Sequence, residues 1–185
     1  MEADHYKTLF AGYDVVGLDY HADNPWEAIS EFKEFFHGYR KGHDSIILIA
    51  NSIGAYFSMC AFNYEQIDKA FFISPVVDME KLILDMMGWA DITEEKLREK
   101  QLITTGFGET LSWEYLCYVR NHPVNWSVQT YILYGNKDNL TSQETIHKFA
   151  NDVNAELTIM QNGEHWFHTA EQMAFLDDWI RGLLK

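Results

Sequence analysis

Residues 45–62 read SIILIANSIGAYFSMCAF, and this stretch decides the fold. Ser45 to Ala50 is a short, unbroken apolar run, as a strand buried on both faces must be. It passes without a linker into Asn51-Ser52-Ile53-Gly54 and then into a small-residue apolar helix, Ala55 to Phe62. A continuous apolar strand that turns at once into a helix is the unit of a parallel sheet with helical crossovers.

The same alternation extends in both directions. Upstream, Tyr13 to Tyr20 (YDVVGLDY) reads as another buried strand. Asn24-Pro25-Trp26-Glu27 follows as a helix start, with Asn at N-cap, Pro at N1 and Glu at N3. Ile29, Phe32, Phe36 and Tyr39 repeat at helical spacing until Gly42. Tyr6, Leu9 and Phe10 suggest a further helix before Tyr13. Downstream, strands are expected at Lys69 to Val77 (KAFFISPVV), Gln129 to Tyr134 (QTYILY) and Glu156 to Met160 (ELTIM). Thr141-Ser-Gln-Glu144 and Thr169-Ala-Glu-Gln172 read as capping boxes. Residues from about Asp78 to Asn125 carry no strand signal and read as an insertion of amphipathic helices. The expectation is one α/β domain over residues 1–185. It is a three-layer α/β/α sandwich on a parallel sheet of about five strands, with a helical cap near 78–125.

Composition narrows the function. Hydrophobic residues make up 47% and aromatics 15%, which suits a packed core and not a disordered chain. The net charge of −14 disfavours nucleic acid and anionic membrane surfaces as partners. Cys60 and Cys117 are far apart, without metal-ligand spacing, and read as reduced packing cysteines. The N-terminus does not resemble a signal peptide, and no apolar run is long enough to span a membrane. A cytoplasmic location is expected.

Parallel sheets present their functional groups at the carboxyl ends of the strands. Three strand ends here carry catalytic residue types. Ser52 lies in Ala50-Asn51-Ser52-Ile53-Gly54, a variant of G-x-S-x-G with Ala for the first Gly. Asp138 follows QTYILY and a glycine, and His165 follows ELTIM in Gly163-Glu164-His165-Trp166-Phe167. Each has a plainer reading: an N-capping Ser, a loop Asp, an exposed His. The order Ser, Asp, His on successive strand-end loops favours a nucleophile, an acid and a base. The backbone N–H of Ile53 would then donate to an oxyanion.

The pieces YDVVGLDY, IILIANSIGA, KAFFISPVV, YILYGNKDN and NGEHWFH together resemble the α/β-hydrolase superfamily, specifically its small bacterial serine hydrolases of esterase and aminopeptidase type. The resemblance implies hydrolysis of an ester, thioester or amide of a small or medium apolar acyl compound through an acyl-enzyme, without cofactor or metal. It implies that the insertion caps the site and selects substrate. Tyr20, His21, Met86, Trp89, Trp113 and Trp166 are the expected pocket residues. His168 is a second choice for the base, and Asp78 a second choice for the acid, its plainer role being a helix N-cap. Glu164, His165 and His168 lack the i, i+4 ligand pair of a helical metal site.

The resemblance also implies strands ahead of Tyr13, one of which ends in a His-Gly type loop that gives the second oxyanion N–H. Nothing before Tyr13 matches it. The lost strand would leave a gap between YDVVGLDY and SIILIA. Three arrangements stay open: a start upstream of Met1, direct pairing of YDVVGLDY with SIILIA, or another chain filling the gap, as in a homo-oligomer. Loss of one oxyanion donor costs about 2.7–4 kcal/mol of transition-state stabilisation. A catalytically silent protein of this fold, binding a ligand or partner, is therefore the alternative function.

Overall fold

The computed structural model describes residues 2–63 and 66–184. Met1 and Lys185, the expected domain limits, lie outside the described residues. Four strands form one parallel sheet: β1 (Ile47–Asn51), β2 (Lys69–Ile73), β5 (Gln129–Gly135) and β6 (Glu156–Met160), in the order β1-β2-β5-β6. Each crossover reaches the adjacent strand, the long one between β2 and β5 included. Register sets Ala50 beside Phe72, Phe72 beside Ile132, and Leu133 beside Thr158.

Both faces of the sheet are apolar because both are covered. On one face, α1 (Glu2–Lys7), the turn that follows it and α8 (Ala170–Leu183) bury Tyr6, Phe10, Leu176 and Ile180 against Ile73 and Leu133. On the other, α3 (Ser52–Ala61) and α7 (Gln143–Asp152) bury Ala55, Met59 and Ile146 against Ala50, Phe72 and Ile132. Along β5, Ile132 and Tyr134 point to the α3 and α7 side while Leu133 points to the α8 side, the period-two alternation of a strand. The three-layer reading therefore holds.

The insertion between β2 and β5 carries α4 (Met79–Trp89), α5 (Glu94–Lys100) and α6 (Trp113–Asn121). Its apolar side chains Ile83, Met87, Leu97 and Leu116 join a cluster with Phe32 of α2 (Pro25–Arg40) and Phe57 of α3. Arg120 ties its helices together, bonding Glu80 at 2.7 Å and both carboxylate oxygens of Glu94. The insertion is not purely helical, as the sequence had suggested. Leu102–Thr104 (β3) and Thr110–Ser112 (β4) form an antiparallel hairpin. The turn between them holds Gly108 at φ +98°, a conformation suited to glycine. Strands of three residues are too short for a periodicity signal.

The segment Tyr13–Tyr20 departs most from expectation. It forms no strand and no ladder with β1, so the sheet has four strands and β1 lies at its edge, without an internal gap. Tyr13 is 53% exposed and Val16 42%. Gly17 and the charged Asp14 and Asp19 interrupt the run, and each weakens a strand that has no paired neighbour. Asp14 instead faces His43 at 3.5 Å, and the N–H groups of His21 and Ala22 donate to the Glu31 carboxylate.

Helix starts follow the capping chemistry. Asn24, Asp78 and Thr169 accept from the N3 backbone of α2, α4 and α8, and Gln172 completes the box at α8. At α7 the cap is Ser142 and not Thr141. Thr141 is buried and donates its hydroxyl to the Pro75 carbonyl, a tertiary use that local sequence does not encode. Among the described residues no helix is long and apolar enough to cross a membrane.

Candidate active site

Ser52 stands where β1 ends and α3 begins, with φ +48°. Left-handed backbone at a residue with a side chain costs on the order of 1–3 kcal/mol and persists where surrounding structure enforces it. Here the enforcement is visible. The β1–β2 ladder holds the preceding residues through Asn51, and the Ser52 carbonyl accepts from Val76 N–H at 3.0 Å. Ser52 thereby sits at the first turn of α3, beside N–H groups without an intrahelical acceptor, Ile53 N–H among them.

Two other strand ends meet it. The His165 ring places Nε2 2.8 Å from Ser52 Oγ and Nδ1 2.7 Å from Asp138 Oδ2. The Asp138 side chain is fully buried, and its other oxygen accepts from Leu140 N–H at 2.8 Å and Thr141 N–H at 3.0 Å. A carboxylate only accepts, so Nδ1 carries the hydrogen of a neutral ring and Nε2 presents its lone pair to the Ser52 hydroxyl. The Tyr134 hydroxyl is pushed up to about 12, first by burial and then by the Asp138 charge, so it stays protonated and donates to the Thr141 carbonyl at 2.8 Å. It thereby helps fix the loop that cradles Asp138.

What draws the Asp138 and His165 loops together is a pair of glycines. A Cβ built on Gly135 would lie 2.3 Å from the Gly163 carbonyl oxygen, so the two backbones touch where no side chain fits. Lys137 N–H donates to that same carbonyl at 2.8 Å, and Asn136 N–H to the Met160 carbonyl at 3.1 Å. The Asn136 side chain spans the gap, accepting from Asn162 N–H at 2.7 Å and donating to Gln161 at 2.8 Å. The glycines are visible at the last residue of β5 and three residues past β6, but their contact is not legible without the strand register.

The alternative residues lie elsewhere. Asp78 caps α4, accepting from Lys81 N–H at 2.9 Å, and is exposed. His168 bonds the Trp166 carbonyl at 2.7 Å and faces solvent. Among the described residues no cluster of three or more His, Cys, Asp or Glu side chains could hold a metal. Cys60 is a packing residue whose thiol burial pushes up to about 11.

A cavity of about 550 Å³ opens at Ser52 and His165. Trp166 lines it, as the sequence suggests, and so do Ile73, Phe167, Met173, Leu176 and, from α1, His5 and Tyr6. The other expected pocket residues do not reach it among the described residues. Tyr20 packs edge-on against Phe32 and Phe57. His21 is exposed, its backbone held by Glu31. Met86 and Trp113 pack into the insertion's own core, and Trp89 is 53% exposed against Phe107. The insertion is drawn to the apolar faces of α2 and α3, which leaves the α8 side of the sheet to α1. Short polar helices such as α1 give little sequence signal of where they dock.

No family model matches the chain, and no curated protein matches it. Solved structures do. Est1E from Butyrivibrio proteoclasticus superposes with a TM-score of 0.68 at 15% identity, covering 87% of this chain and 69% of that one. A putative hydrolase from Agrobacterium vitis gives 0.69 at 12% identity, covering 95% and 74%. Alpha/beta hydrolase domain-containing protein 10 from mouse gives 0.64 at 14% identity, covering 84% and 69%. At these identities the likeness is one of fold, and the fold of this chain is that of the α/β-hydrolases.

Proposed function

We propose that the chain is a serine hydrolase that cleaves an ester, thioester or amide of an apolar acyl compound through an acyl-enzyme on Ser52. The observation that carries this reading is the unbroken relay from Ser52 Oγ through His165 to Asp138, with spacings of 2.8 and 2.7 Å. Its fold, shared with proteins named as esterases, supports the same class.

In the first half-reaction Ser52 Oγ bonds to the acyl carbon as its proton passes to His165 Nε2. Asp138 holds the ring and stabilises the imidazolium. The carbonyl oxygen takes up negative charge at the N-terminus of α3, where Ile53 N–H donates. The intermediate collapses, the bond to the leaving group breaks, and His165 returns its proton to the departing oxygen, sulfur or nitrogen. In the second half, water gives a proton to His165 and attacks the acyl carbon. Ser52 Oγ then leaves, recovering the proton from Nε2, and the free acid departs. No step calls on a metal or cofactor.

The test is covalent. A fluorophosphonate probe should label Ser52, and p-nitrophenyl butyrate should turn over. Ser52→Ala should abolish both, and His165→Gln should slow labelling by a factor on the order of 10³ or more. A folded wild-type protein that neither labels nor turns over any ester would instead favour a silent, ligand-binding role for the same cavity.

A further inference from the structure

The cavity beside Ser52 has a composition that selects among acyl groups, and its walls are not the insertion. Resting on the serine hydrolase reading, we infer that the slot between α1 and α8 is the acyl-binding site and takes an uncharged, flexible acyl chain of medium length. Tyr6 of α1 lines it together with Met173 and Leu176 of α8, and Ile73 and Phe167 add to the apolar lining. Ser52 and His165 line the same cavity, so a chain esterified at Ser52 would lie within it.

Charge excludes the other acyl classes. No Lys or Arg lines the slot. His5, the second histidine of the lining, has Nε2 bound to Asp177 at 2.7 Å. A second carboxylate on the acyl group would find no cationic partner there, in a chain whose net charge is −14. An ammonium group would meet no carboxylate among the lining residues, since Asp177 is engaged by His5 and by Arg181. Burying either charge unpaired is costly. Size works against the shortest acyl groups. A cavity of about 550 Å³ falls within the range of about 300–1,000 Å³ for small-molecule sites, so an acyl chain of several carbons covers its apolar lining and an acetyl group does not.

Met173 is the residue to vary, because it is half-buried and tolerates changes of shape. With p-nitrophenyl esters from acetate to palmitate, kcat/KM should rise about fourfold per added methylene, the equivalent of burying one CH₂ at about 0.8 kcal/mol. It should peak at a chain longer than butyrate and fall before palmitate. Met173→Phe should shorten the optimum and cut the octanoate-to-acetate ratio by about tenfold, and Met173→Ala should lengthen the optimum. Trp89→Ala, in the insertion, should leave the profile in place. Folded Met173 variants with the wild-type profile, or a profile moved by Trp89→Ala, would overturn the assignment while leaving the serine hydrolase reading standing. Calorimetric binding of octanamide to Ser52→Ala, lost in the double variant with Met173→Phe, reads the slot without turnover. If that binding is found in a protein that hydrolyses no ester, the slot stands and the hydrolase reading falls. If octanamide does not bind Ser52→Ala, the slot falls.

Discussion

Ile47–Asn51 and Tyr13–Tyr20 are both short apolar runs, and Val15 packs on the same cluster as Ile47 and Ile49. One is a strand with five residues paired to β2; the other passes along the surface with no ladder. The difference lies in the partner more than in the residues. A strand repays its ordering entropy through paired backbone and cross-strand packing, and an apolar run without a neighbour has neither. The consequence reaches the site. The φ +48° of Ser52 follows directly on β1, where the ladder can hold a strained residue in place. No comparable strain appears among residues 13–20; the positive-φ position nearest them is Gly12, a residue that bears it without cost.

Two crowded glycines sharpen this contrast, and the one on the supported side gives the largest expected effect. At Gly135 an added Cβ would strike the Gly163 carbonyl oxygen at 2.3 Å and the Glu164 carbonyl oxygen at 2.8 Å, both backbone atoms of the loop that carries His165. Backbone on two adjacent strand ends cannot give way without separating Asp138 from His165. Gly135→Ala should lower kcat/KM for p-nitrophenyl butyrate by about 10²-fold or more, since a misplacement of about 1 Å has that effect. Overpacking should also cost about 1–3 kcal/mol of stability. Near wild-type activity would mean that the two loops are held together by something other than this contact.

A second pair of measurements compares the two runs themselves. Amides in the β1–β2 ladder should be strongly protected from hydrogen exchange, and those of Val15 to Leu18 should exchange near the intrinsic rate. Ile49→Ala should cost about 1–2 kcal/mol, the lower part of the range for aliphatic truncation because Ile49 is half-buried at the sheet edge. Val16→Ala, at a side chain 42% exposed, should stay within about 0.5 kcal/mol. Equal costs, with protection at Val15 to Leu18, would show that residues 13–20 join a ladder in solution.

What could be read from the sequence divides along the same line. The four sheet strands were legible because each is an apolar run bounded by turn residues and separated by helix-length crossovers. The meeting of Ser52, Asp138 and His165 was legible as well, because the carboxyl ends of all strands in one parallel sheet lie along the same edge. Tyr13–Tyr20 misled because composition reports the tendency to be buried and says nothing of a partner. The hairpin at Leu102–Thr104 was too short to declare itself. The cavity walls were illegible for another reason. Met86 and Trp113 look equally apt for a pocket or a core, and the packing of the insertion on α2 and α3 decides for the core. Nothing in the local sequence of His5 and Tyr6 announces that α1 lies against α8 at the site.

That last placement gives the smallest expected effect and the most informative one. A Cβ on Gly17 would lie 2.9 Å from the Ala3 side chain, a methyl group on a six-residue helix, and not from a strand-bound backbone. The helix can yield where the Gly135 contact cannot. The unfolded-state entropy lost on replacing glycine also favours Ala by about 0.4–1 kcal/mol, offsetting the crowding. Gly17→Ala should therefore change stability by no more than about 0.5 kcal/mol. Its effect should fall on selectivity instead. α1 carries Tyr6 and His5 into the cavity wall, so a shift of a few tenths of an ångström in α1 changes the slot without touching Ser52, His165 or Asp138. The octanoate-to-acetate ratio should move by about twofold to threefold, a fraction of the roughly fourfold value of one buried methylene. Adding Ala3→Gly, which removes the clashing methyl, should return the ratio to its original value while costing about 1 kcal/mol of helix propensity. A ratio that moves with Gly17→Ala and returns with Ala3→Gly ties acyl selectivity to the seat of α1. A ratio unmoved by both would leave α8 and the rest of the lining to set it.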